Sequence, residues 1–137
     1  MVKTSDYILK FHEDFYTPIR EDIKTATTRA DSKPLDIGDF VIATFLPSDK
    51  LLLLKIDGHY AMRLKDLDLH DAKQEGYLHE DLLKHELKTI YPDLKPDDYV
   101  YIYRFIRIRE QRSAMEMFRS RYKFTDNQWI SGNKELK

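Results

Sequence analysis

The apolar positions along this chain change period several times, and each change marks an element. Tyr7-Ile8-Leu9-Lys10-Phe11 is short and apolar enough for a first strand. Phe15, Ile19 and Ile23 then recur at intervals of four, with Pro18 suited to a first turn, which predicts a short helix that delivers the chain to Lys24. Asp31-Ser32-Lys33-Pro34 reads as a turn, and Ile37-Gly38-Asp39 as a tight entry into a strand over Phe40 to Leu46, with Gly38 supplying a positive φ or room for a close approach. Leu51 to Ile56 is a continuous apolar run, Asp57-Gly58 is a hairpin signal, and His59 to Leu64 is the returning strand. The middle third is therefore expected to be an antiparallel meander.

Helical spacing returns after Asp66. Acids at Asp66, Asp68 and Asp71 suit a helix N-terminus, and Gly76 is placed to cap its end. That leaves Glu75 in the last turn, where the helix dipole disfavours a carboxylate. A second helix is predicted over Glu80 to Ile90, with Leu83, Leu87 and Ile90 on one face and Tyr91-Pro92 ending it. Tyr99 to Arg109 carries apolar residues on both faces through Phe105, the pattern of a central strand, and its tyrosines read as core rather than as a base-stacking platform. Ser113 to Arg121 suits one further short helix. Tyr122 to Lys137 is a tail whose aromatics, Trp129 among them, are expected to fold back onto the body, with residues 131–137 frayed.

Composition narrows the class. A length of 137 residues, 42% of them apolar and 34% charged, suits one domain with one core. No apolar run approaches the length of a membrane span, residues 1–6 contain no hydrophobic signal segment, and there is no cysteine for disulfide or thiolate chemistry. The expectation is a cytoplasmic protein. The net charge of -1 hides an asymmetry: Asp66 to Asp98 holds ten acids and four lysines, whereas Arg104 to Lys123 holds seven bases and two acids. Such blocks either pair internally or leave a basic strip for a partner.

The densest chemistry lies in Lys24-Thr25-Ala26-Thr27-Thr28-Arg29, an amine, three hydroxyls and a guanidinium within six residues. By itself this could be a polar loop whose threonines bond their own backbone. Read together with Ile37-Gly38-Asp39 and with Ala72-Lys73-Gln74-Glu75-Gly76 ahead of an amphipathic helix, its order and spacing resemble the ASCH domain. That resemblance covers roughly residues 6 to 109. It implies an α+β fold, a PUA-like small mixed or antiparallel β-barrel with short flanking helices, over residues 1–110, followed by a C-terminal extension over residues 111–137 that packs on the domain.

The resemblance also implies an activity. Small bacterial ASCH proteins include amidohydrolases that remove the acyl group from N(4)-acetylcytidine, and their lysine, threonine and glutamate fall on Lys24, Thr27 and Glu75 as catalytic residues. Arg29 and Thr25 are assigned to substrate binding, and Thr28 to structure. Lys73 stands where the amidohydrolases carry an acid. The chemistry suits these types: amide hydrolysis needs a nucleophile, a group that takes its proton, and donors for the oxyanion. Thr25, Thr27 and Arg29 would share one face of a strand and Lys24 the other, so the backbone must turn near Thr25 for Lys24 and Thr27 to meet one substrate. Which of Lys24 and Glu75 is the base stays open.

Neither a cofactor nor a metal is expected. Glu75 and His79 have a metal-friendly spacing that Gly76 interrupts, and His85-Glu86 does not extend into His-Glu-x-x-His. The expected partner is a nucleoside, with RNA as a further possibility and no membrane. The alternative function is an RNA-binding module or ribonuclease using the same cleft and the strip of Arg104, Arg107, Arg109, Arg112, Arg119, Arg121 and Lys123.

Overall fold

A computed structural model describes residues 4–109. It comprises strands β1 (Thr4–His12), β2 (Ala26–Arg29), β3 (Phe40–Leu46), β4 (Leu51–Arg63) and β5 (Tyr99–Arg107), with helices α1 (Tyr16–Arg20), α2 (Leu69–Gln74) and α3 (Glu80–Ile90). The strands form one mixed sheet in the order β1-β3-β4-β5-β2. β1 runs parallel to β3, and the other neighbours are antiparallel. The architecture is the expected α+β one, a curled half-barrel with short helices. The expected elements at residues 113–121 and the aromatic tail lie outside the described residues.

Strand β5 is central, as its two apolar faces require. Tyr103 and Phe105 enter one core with Leu9, Phe11, Phe45 and Ile56, while Val100 and Ile102 join Leu64, Ala72, Leu83 and Leu87 in a second core beneath the helices. The Tyr103 hydroxyl accepts from the Lys33 backbone N–H at 2.6 Å, so this tyrosine is core with a satisfied polar tip.

The hairpin expected at Asp57-Gly58 does not form. β4 runs unbroken through it, because the long strand β5 supplies partners on both sides, and the two residues are absorbed as an irregularity in register between Ile56 and Gly58. A β-carbon at Gly58 would lie 3.2 Å from the Cβ and Cδ of Arg104, so this glycine serves close approach rather than a turn. The middle third is thus not a three-strand meander: β3 and β4 pair, and β4 then pairs with β5. The apolar stripe is also shorter than expected. α1 ends at Arg20, Asp22 takes a left-handed φ of 61°, and Ile23 emerges 58% exposed while Ile19 is buried. Gly38 does adopt the positive φ expected of it, at 97°.

α2 is fixed at both ends. Asp68 and Asp71 form a reciprocal capping box at its start, and Gly76, at φ 89°, turns the chain at its end. Tyr60 on β4 holds the helix to the sheet: its hydroxyl donates to Asp71 Oδ1 at 2.7 Å and accepts from Gln74 Nε2 at 2.9 Å. Burial, reinforced by the Asp71 carboxylate, pushes the Tyr60 phenol up to about 12. The folded state therefore favours the neutral phenol, and this contribution is complete below the ordinary value of 10.0 and is lost as pH rises from there through about 12. The free energy of unfolding measured across that window should fall more steeply with pH for wild type than for Tyr60→Phe. Parallel slopes would show that the phenol adds nothing. Among the described residues no helix is long and apolar enough to cross a membrane.

Candidate active site

The Lys24 to Arg29 stretch enters the structure as a short edge strand preceded by a turn. Ile23 and Lys24 both donate their backbone N–H to the Pro18 carbonyl, at 2.9 and 3.0 Å, which closes the turn after α1. Thr25 is clamped from two sides: its N–H donates to the Gln74 carbonyl at 2.6 Å, and its own carbonyl accepts from Phe105 N–H at 2.9 Å. β2 is thereby tied to the C-terminal end of α2, and Glu75 is carried to Lys24.

The two meet in a buried ion pair. Lys24 Nζ donates to Glu75 Oε1 at 2.8 Å, with each side chain only 4% exposed. Fifty-one positions separate them in sequence. On the other carboxylate oxygen, Oε2, Glu75 accepts a hydrogen bond from the hydroxyl of Thr28, which is fully buried. Sequence reasoning assigned Thr28 to structure and missed this contact. The signal was available, since within β2 Thr28 points to the face opposite Thr27 and Arg29, while Lys24 precedes the strand in the turn.

Thr27 is placed differently. Its hydroxyl oxygen accepts from Arg29 Nε at 3.0 Å, and both residues are buried. Arg29 also donates from Nη2 to the Lys10 carbonyl at 3.0 Å. Lys10 lies on β1 and Arg29 on β2, the two edges of the sheet, so this side chain bridges the open seam of the half-barrel. Arg29 is thus engaged in the fold as well as in the contact with Thr27.

Two aromatic rings join the halves. Lys24 Nζ lies 5.1 Å from the Phe15 ring centre and the Arg29 guanidinium 5.0 Å from that of Phe11, and the two rings meet edge to face at 6.3 Å. The structure therefore unites Lys24, Glu75 and Thr28 in one network and Thr27 with Arg29 in a second, both resting on one aromatic floor. Thr25 stands apart from both: its hydroxyl donates to the Gln74 carbonyl at 3.3 Å.

The curled mixed sheet with its short helices is the fold of solved ASCH domain structures. An ASCH domain from Lactobacillus crispatus is similar over 77% of this chain and 79% of that one, with a TM-score of 0.53 and 11% identity. A variant of the Zymomonas mobilis ASCH protein matches over 88% and 84%, with a TM-score of 0.56 at 11% identity. A protein from Enterococcus faecalis described by the family DUF984 matches over 79% and 82%, with a TM-score of 0.59 at 16% identity. At such identities the likeness establishes the ASCH fold. No family model and no curated protein sequence matches the chain.

Proposed function

We propose that the protein is an amidohydrolase that removes the acyl group from N(4)-acetylcytidine or a related N4-acylated cytosine nucleoside. The buried Lys24–Glu75 pair, with the Thr28 hydroxyl on its far oxygen, is the observation that carries this reading. Placing an ammonium and a carboxylate out of water is costly, and a surface pair would serve stability as well. Such a pair beside a second buried hydroxyl is, however, suited to moving a proton and steadying a developing negative charge.

In the proposed mechanism Thr27 Oγ1 attacks the acyl carbon. Its oxygen already accepts a charge-assisted hydrogen bond from Arg29, which stabilises negative charge as the hydroxyl proton leaves. The N–H groups that Lys24 Nζ does not direct to Glu75 stabilise the oxyanion. Glu75 relays the proton to the departing N4, so that the C–N bond breaks with release of the free 4-amino group and formation of an ester on Thr27. Water then adds to that ester, its acyl–oxygen bond breaks, and the acyl group leaves as the carboxylic acid while the Thr27 hydroxyl is restored. Thr28 positions Glu75. Thr27 bonds Arg29 and Lys24 bonds Glu75, and this mechanism requires the substrate to reach both networks at once.

The direct test is turnover of N(4)-acetylcytidine, and of bulkier N4-acyl analogues, by purified wild type. Release of cytidine that disappears in Lys24→Ala is expected. No release from any of these compounds or from their 5′-monophosphates eliminates the hydrolase reading, and salt-dependent RNA binding or cleavage in its place would favour the alternative function.

A further inference from the structure

The arginines that close β5 are not used by the chemistry above. A groove of about 360 Å³ lies against that end of the strand, lined by Arg104, Arg107 and Arg109 and by Asp22, Thr25 and Gln74. Thr25 and Gln74 are the chain neighbours of Lys24 and Glu75 and are bonded to each other. The groove therefore begins one residue from each half of the buried pair, and its volume falls in the range of small-ligand sites.

Its guanidiniums have carboxylates nearby but are poorly satisfied by them. Arg107 is only 12% exposed, and among the described residues its buried Nε has no hydrogen-bond partner, Asp22 Oδ1 lying 3.9 Å away. Arg104 Nη2 likewise stops 3.7 Å from Asp57 Oδ2. Only Arg109 closes on its partner, at 2.9 Å from Asp22 Oδ2. Asp22 achieves this from a left-handed backbone that a residue with a β-carbon rarely adopts. Among the described residues three planar donors face two carboxylates, and one buried donor has no acceptor. A tetrahedral oxyanion, with acceptors directed several ways, can bond more than one guanidinium at once, which a carboxylate anchored 3.9 Å away does not.

We propose that this groove is a phosphate subsite, so that the molecule processed is a cytosine nucleotide, free or within RNA, rather than an uncharged nucleoside. The inference rests on the amidohydrolase reading for the identity of the base, but the subsite has its own readout. Calorimetry at low salt compares cytidine, cytidine 5′-monophosphate and a short oligocytidylate on the full chain. The monophosphate should bind about tenfold or more tightly than cytidine, the size of effect that charge-assisted bonds to one phosphate supply. Arg107→Gln should abolish that difference without weakening cytidine. Asp22→Asn keeps a residue tolerant of the left-handed turn and removes the competing charge, so it should raise monophosphate affinity several-fold, a gain that misfolding cannot imitate. Further tightening by the oligonucleotide assigns the phosphate to RNA, and its absence assigns it to a free nucleotide. Equal affinity for cytidine and its monophosphate in wild type overturns the subsite. Turnover of N(4)-acetylcytidine alongside that equality leaves the hydrolase intact, whereas a monophosphate preference without turnover of N(4)-acetylcytidine or its 5′-monophosphate sinks the hydrolase and retains the subsite.

Discussion

Glu75→Gln is expected to lower the stability of the folded protein by about 3–5 kcal/mol, the loss typical when one partner of a buried ion pair is removed. The amide keeps the shape of the side chain, so packing is preserved. What changes is that the Lys24 ammonium, 4% exposed, no longer faces a negative charge. Lys24→Met in the same chain should restore most of the loss, because the double variant buries no uncompensated charge and methionine fills the lysine stem's volume against Phe15. Chemical denaturation of wild type, both single variants and the double variant supplies the full cycle. Additive losses in the double variant would show that the two groups act independently, contrary to the 2.8 Å contact. Catalysis should behave oppositely, with the double variant as inactive as either single one, so that stability returns and activity does not.

The second large effect separates the two buried threonines. Thr27→Val is expected to lower kcat by on the order of a thousandfold or more with little change in KM, since it removes the attacking oxygen and leaves binding intact. Thr28→Val should lower kcat only about tenfold, because the hydroxyl it removes positions Glu75 rather than reacting. Thr28→Ser should recover the wild-type rate, as it restores the donor. Steady-state kinetics on both variants decides the matter. A greater loss for Thr28→Val than for Thr27→Val would transfer the attacking role to the hydroxyl that stands on the carboxylate.

Strands β3 and β5 and helix α3 were legible because each carries a strong local period, and α3 begins and ends where its acids and Tyr91-Pro92 require. Asp57-Gly58 was misread for the converse reason. A hairpin signal is local, whereas the partner that holds β4 straight through those residues is β5, some forty positions on. Ile23 was misread as a fourth-residue repeat because nothing in the spacing reveals that the chain turns left-handed at Asp22.

The same division runs through the site. Spacing and residue type along the chain show where the chemistry is dense, that Gly38 and Gly76 lie where the backbone needs a glycine, and, through the ASCH resemblance, that Glu75 belongs with Lys24. Tertiary structure alone decided how they are wired: that Thr28 is the hydroxyl on Glu75, that Thr27 is held by Arg29, and that Arg29 bridges the two edges of the sheet. The physical reason is that periodicity encodes what a residue does within a few neighbours. Which side chains share a carboxylate across 47 and 51 positions follows from the strand order and from the helix end that the Thr25–Gln74 bond fixes against β2.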